Sequence, residues 1–274
     1  MDSIGGNWIP VTLCVLIIAY KNLPFMWHLR FFRTLTARLL VSPMTKEQLS
    51  PECLFLPAVH RTRSPLTECD YNIHKSNSTY FTDLDMSRGN LSLLLFRQGI
   101  SYKPGPDTAV MILSGVQCVF RREIKPYQPY EIWSRVLSWD EKWLYIVSHF
   151  VERGVAHSCQ CHLQANNTQG IPTQIKTLGD HLQKKIFASA VSRYVFKQGR
   201  KTFPPEKMLR ACGLLPSLGT EEDNDQQELS RSIEVRRKHD LETAQLKSGW
   251  DAVHNAFDGD VTKILGMYTD LLWR

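Results

Sequence analysis

A chain of 274 residues is long enough for one substantial domain with extensions, or for two small domains. Its 43% hydrophobic and 22% charged residues lie near the globular average, which excludes general disorder and a polytopic membrane protein. The net charge of +6 is too small an excess to point to nucleic acid as a partner.

The first predicted element is an apolar run from Trp8 to Tyr20 (WIPVTLCVLIIAY), with no charge in it. It is short against the roughly twenty residues of a membrane-spanning helix. Lys21 follows, then a second apolar cluster of Leu23, Phe25, Met26 and Trp27. Asp2 stands where a basic region is needed and no small-residue cleavage site follows the run, which argues against a cleaved signal peptide. Lys21, Arg30, Arg33 and Arg38 come before any acid until Glu47, and by the positive-inside tendency this flank stays cytoplasmic. The expectation is a membrane-associated protein with a cytosolic body. It would be held by a signal anchor from Trp8 to about Trp27 or by a helix lying in the interface. The competing expectation is an apolar helix packed on the domain.

Residues 54–64 read as a first strand and 65–76 as a polar loop. Over 78–98, Tyr80, Phe81, Leu84, Leu91, Leu94 and Leu95 recur at helical spacing, with a kink expected at Gly89 and Asn90. Three strands follow, Ala109–Ile124, Tyr130–Trp139 and Lys142–Glu152, each rich in β-branched or aromatic residues. Asp140-Glu141 is a two-residue hairpin candidate, and the short turns predict an antiparallel meander of these three strands. Residues 153–184 are polar and aperiodic, an inserted loop with room for a strand at Val155–Leu163; a further strand spans Ile186–Lys197. Pro204-Pro205-Glu206 opens a short helix that Gly213 closes.

Beyond Pro216, the acids from Glu221 to Glu228 read as a solvated linker. Two helices are expected after it, 228–257 and 261–273. The second carries Val261, Ile264, Leu265, Tyr268, Leu271 and Leu272 on one stripe. The layout is therefore a membrane-associated segment at 1–46, a main domain at 47–213 with its insert at 153–184, and an acidic linker with a helical extension at 214–274.

Seven scattered cysteines without a C-x-x-C pair read as reduced, mostly buried thiols. His157, Cys159, Cys161 and His162 are close in sequence, but strand alternation would turn His162 away from the others, so no metal is expected there. The sequence calls for no cofactor. It holds neither a G-x-S-x-G elbow nor a Gly-rich phosphate loop, which leaves a serine hydrolase or nucleotide enzyme without support.

The segment leading into the long helix is Glu68-Cys-Asp70-Tyr-Asn72-Ile-His74-Lys-Ser-Asn77-Ser-Thr-Tyr80. Asp70 can act as a base or nucleophile, and Asn72 and His74 can orient it, water or a carbonyl. The helix beginning near Ser78 offers free N–H groups and a positive dipole end to a developing oxyanion. Simpler readings stand beside these: Asx turns for Asp70 and Asn72, a satisfied loop histidine for His74 and an N-cap for Asn77.

This segment resembles the D-x-N-x-H-x-N-N-x-x-Y stretch of plant acyl-carrier-protein thioesterases. It also resembles the D-x10-Y spacing of 4-hydroxybenzoyl-CoA-type thioesterases and the similar stretch of membrane-anchored thioesterase superfamily members. The run Tyr194-Val-Phe-Lys-Gln-Gly-Arg200-Lys-Thr-Phe-Pro-Pro-Glu206 is similar to small fungal thioesterases of biosynthetic clusters. The resemblance covers about residues 52–213 and implies an α+β hotdog fold, a curved antiparallel sheet around a central helix. It further implies a homodimer with the site at its interface. The implied activity is hydrolysis of an acyl thioester of coenzyme A or acyl carrier protein, in secondary metabolism for the fungal members.

Position by position, the resemblance makes Asp70 the catalytic aspartate, Asn72 and His74 its polar partners, and Asn77, Ser78 and Tyr80 the substrate-binding start of the helix. Ser76 stands where the plant enzymes have Asn. Asp85 and Arg88 match an acid-x-x-Arg pair and read as an i,i+3 support of the helix. The downstream acid and cysteine of the plant enzymes have no counterpart here. That keeps open a non-catalytic acyl-binding or scaffold protein, and a hotdog dehydratase or hydratase.

Overall fold

The computed structural model describes residues 8–41, 48–100, 108–155, 160–163, 183–216, 224–245, 253, 255–257 and 263–269. In chain order the elements are α1 (Trp8–Ile18), α2 (Met26–Thr36), β1 (Ala58–Arg63), α3 (Asn77–Leu95), β2 (Val110–Phe120), β3 (Pro129–Trp139), β4 (Leu144–Glu152), β5 (Gln160–Cys161), β6 (Ile186–Gln198), β7 (Lys201–Phe203), α4 (Pro205–Ala211), α5 (Asn224–Ala244), β8 (Lys263–Ile264) and β9 (Gly266–Thr269). One sheet runs in the order β2-β6-β4-β3-β1-β9, with β7 added to β6. All its pairings are antiparallel except β1 with β9.

The central strands are buried on both faces, which is why they read as almost continuous apolar runs. On the inner face Tyr130, Ile132, Phe150, Ala188 and Ala190 pack around Tyr80 and Leu84 of α3. On the outer face Leu137, Tyr145, Val147 and Val191 meet Leu241 and Ala244 of α5. Helix α3 is enclosed on most sides, so its interior-facing polar groups must find partners within the protein. Ser87 shares a 2.7 Å hydrogen bond with Ser134, which in turn bonds Ser148 at 2.7 Å. The expected Asp85–Arg88 pair forms at 2.7 Å, and the buried Arg88 also donates across to Ser192 on β6 at 2.6 Å.

Several expectations are corrected. The three central strands are not a meander: only β3 and β4 form a hairpin, while β2 lies beyond β6. Residues 121–128 are too long for a tight turn, and the Arg121 and Arg122 amides bond the Phe187 carbonyl, fixing the end of β2 beside β6. The hairpin turn spans Asp140–Trp143, held by the Asp140 carboxylate, which accepts from the Lys142 and Trp143 amides.

Helix α3 runs through Gly89 without interruption. Glycine is there for packing: an added Cβ would lie 2.7 Å from the Phe31 ring of α2. Gly89→Val is therefore expected to push α2 off α3 and cost about 1–3 kcal/mol, read as a lower urea midpoint.

The expected helix over 261–273 is replaced in its described part by β8 and β9. β9 pairs in parallel with β1, β8 pairs with β5, and the Leu265 amide bonds the Pro57 carbonyl. Gly266 weakens a helix, and the open edge of β1 takes the backbone groups instead. Burial alternates along β9, as strand geometry requires. β5 is the short strand that the insert had room for; His157 and Cys159 lie outside the described residues. The six described cysteines are free thiols, but only Cys53 and Cys212 are fully buried.

The amino-terminal segment forms two helices separated by a turn at Tyr20–Asn22. Among the described residues no helix is long and apolar enough to cross a membrane. α2 lies on α3, with Trp27 stacked on Phe31 at 5.3 Å and its indole N–H donating to Asp85. α1 leaves Trp8, Ile9, Val11, Leu13, Val15 and Leu16 exposed.

Candidate active site

Residues 69–75 make a small closed loop ahead of α3. Cys69 and Lys75 form an antiparallel bridge, the Asp70 amide bonds the His74 carbonyl at 3.0 Å, and the Ile73 amide returns to the Asp70 carbonyl at 3.0 Å. Ile73 takes the left-handed conformation (φ 61°) that the tight return requires. Within this loop Asp70 Oδ1 accepts the Asn72 amide at 3.0 Å, an Asx turn, and lies 3.6 Å from His74 Nδ1. The loop joins the helix through the Ser76 amide and the Thr79 hydroxyl, both of which donate to the Glu68 carbonyl.

Asp70, Asn72 and His74 are thus brought together, with the Asp70 side chain 26% exposed. Asn77 and Ser78 are exposed on the first turn of α3, and no side chain caps that turn at Ser76. Its first amides therefore lack a side-chain cap and are chemically able to receive an oxyanion. Tyr80 lies beneath this surface, its ring edge-on to Phe120 and Phe150 at 5.0 and 4.8 Å, and burial pushes its hydroxyl up. It anchors the helix start to the sheet. Tyr71 and Ile73 are 92% and 66% exposed, flanking Asp70 with apolar surface.

Under the loop is a charged cluster that the sequence reading did not single out. Lys75 Nζ contacts Glu68 Oε2 at 2.6 Å and Asp83 Oδ2 at 3.0 Å. Lys21 reaches the same two acids, Asp83 at 3.1 Å and Glu68 at 3.6 Å, and Arg30 meets Asp83 at 2.8 Å. The Tyr130 hydroxyl also donates to Asp83. Burial alone would push the Asp83 carboxyl up, but Lys21, Lys75 and Arg30 together hold it well below the usual carboxylate range. Glu68 moves the other way, raised by burial and by the neighbouring Asp83 charge. The sequence signal for this cluster was Asp83 itself, an acid three residues after Tyr80 on the buried face of the helix.

Cavities flank both α3 and the sheet. One of about 280 Å3 lies along the later turns of α3, lined by Trp27, Phe31, Gly89, Leu93, Met111 and Tyr194 among others. A larger one of about 440 Å3 opens on the outer sheet face between Trp133, His149 and α5. It touches none of Asp70, Asn72, His74, Asn77, Ser78 or Tyr80. Among the described residues no group of three His, Cys, Asp or Glu is placed to hold a metal.

The model of the thioesterase-like superfamily matches residues 64–211, from the end of β1 through α4. Thioesterase poxG of Penicillium oxalicum is 37% identical, the match covering 92% of this chain and 87% of that protein. Thioesterase atnL of Emericella nidulans, described as probable, is 35% identical over 93% of this chain and 90% of its own. The solved structure of the probable thioesterase YbaW from Escherichia coli matches 58% of this chain and 97% of that one, at 12% identity and a TM-score of 0.39. A helix wrapped by a curved sheet, an Asp-led loop at its start and a family match spanning both assign this chain to the thioesterase-like superfamily of hotdog-fold proteins.

Proposed function

We propose that the protein hydrolyses an acyl thioester of coenzyme A or of an acyl carrier protein, with Asp70 as base or nucleophile. The observation that carries this reading is the partly exposed Asp70 carboxylate, presented by a closed loop immediately ahead of an uncapped helix start. In the general-base form, Asp70 takes a proton from water as the new C–O bond forms. The carbonyl electron pair moves to an oxygen facing the α3 amides, and collapse expels the thiolate, which recovers the proton. His74 and Asn72 orient the water or carbonyl.

The working unit in this proposal is a homodimer joined through β2. Among the described residues that strand has a neighbour only in β6, and it exposes Ile112, Leu113 and Phe120. A two-fold antiparallel pairing would set the Phe120 end of one β2, near Asp70, beside the Val110 end of the other. The acyl chain would then run toward the apolar cavity next to α3 in the opposite protomer. Ile112→Lys is expected to give monomers by light scattering and to lose thiol release with them.

Membrane association through the amino terminus belongs to the same proposal, with the body in the cytosol. Its support is the exposed apolar surface of α1, continued by Phe25, Leu29 and Phe32. The resemblance of Tyr194–Glu206 to small fungal thioesterases of biosynthetic clusters supports secondary metabolism as the setting.

Free-thiol release by the full chain from short, medium and long acyl-CoA thioesters tests the reading. Release within one chain-length class is expected. Tight acyl binding without release would overturn it in favour of an acyl-binding protein, and water addition to an enoyl thioester would favour a hydratase.

A further inference from the structure

Lys21 lies in the turn between α1 and α2, far in sequence from the site, yet its ammonium is fully enclosed. It donates to the Arg63 carbonyl at 2.6 Å, at the end of β1, and contacts Asp83 and Glu68. Its neighbour Asn22 donates to the Thr67 carbonyl at 2.8 Å. Residues 21–22 therefore fasten both ends of the segment 63–68 that delivers the chain to Asp70. Glu68 passes this restraint on, since its carboxylate holds Lys75 and its carbonyl holds Ser76 and Thr79, the two sides of the loop.

We infer that Lys21 is a positioning residue for Asp70, acting through Glu68 and Lys75, so that the amino-terminal segment is part of the catalytic machinery as well as an attachment. The inference rests on the thioesterase reading.

Charge balance shows why Lys21 can be probed without collapsing the fold. Lys21, Arg30 and Lys75 share Glu68 and Asp83 in these contacts. Without Lys21, Glu68 keeps Lys75 and Asp83 keeps Lys75 and Arg30, whereas removing an acid enlarges the excess of buried positive charge. A small misplacement of a catalytic group is itself expensive in rate, so loosening the loop should appear as lost turnover.

The test compares the full chain with Lys21→Met and Lys21→Arg in thiol release and in amide hydrogen exchange. For Lys21→Met, kcat is expected to fall by about tenfold to a hundredfold with KM nearly unchanged. Exchange should rise over residues 66–76 while the central strands stay protected. Lys21→Arg, which keeps the charge and reach, should recover most of both. Unchanged kcat in Lys21→Met overturns the inference, as does increased exchange spread over the whole sheet, which would mark a purely structural role. If the unaltered chain releases no thiol, the thioesterase reading fails, and local exchange at 66–76 alone decides whether Lys21 holds the loop.

Discussion

Asp83→Asn is expected to cost the fold about 3–5 kcal/mol, the penalty for stripping one partner from a buried ionic cluster. Asp83 is wholly enclosed and carries contacts to Lys21, Arg30, Lys75 and Tyr130 at once. The substitution keeps shape and volume but removes the charge that three cations share, of which Lys21 and Lys75 keep Glu68. Against a domain stability of about 5–15 kcal/mol, such a loss moves a urea midpoint far down or prevents folding at 37 °C.

The pH dependence has a definite sign. Because its folded-state pKa lies below the value of about 3.9 for an unfolded aspartate, Asp83 stabilises the fold at neutral pH. That contribution is lost as the pH falls below about 4 toward the folded value. The stability gap between the unaltered chain and Asp83→Asn should therefore be widest near neutrality and narrow in acid. A gap under about 1 kcal/mol at pH 7 would mean that the cations reach water once the acid is gone.

Asp70→Asn is the counterpart in activity: thiol release should fall by about 10²–10⁴-fold, the range for loss of a general base, with no change in the urea midpoint. Among the described residues the carboxylate's contacts, with the Asn72 amide and His74, fall on Oδ1. An asparagine oxygen can accept the Asn72 amide equally well, so the loop survives while the base is lost. The Asx turn and the catalytic role are therefore compatible uses of one side chain, each served by a different oxygen. Equal release by Asp70→Asn and the unaltered chain would shift the chemistry to another group.

The central helix, the long strands and the Asp70 loop were legible because each is coded locally, by spacing along a helix, by β-branched runs or by a contiguous motif. Strand order was not, since the placement of β2 beyond β6 depends on side chains meeting across the sheet. The same holds for Gly89, whose meaning appears only when Phe31 lies against it, and for residues 263–269, where a partner strand overrides a helical stripe. In the candidate site, Asp70, Asn72 and His74 were visible as a motif. The underlying cluster was not, because Lys21, Arg30, Glu68, Lys75, Asp83 and Tyr130 come from separate segments and converge only in the fold.

The pairing of β9 with β1 also bears on how the chain reaches this state. Ala58 to Arg61 are made well ahead of their parallel partners, Gly266 to Thr269. This pairing has high contact order and cannot form until Gly266 to Thr269 have been made. Until then the nascent chain carries β1 with one side unpaired, a template for wrong association. A stop codon ahead of Gly266 would make that transient hazard permanent, so aggregation is the foreseeable cost of losing β9.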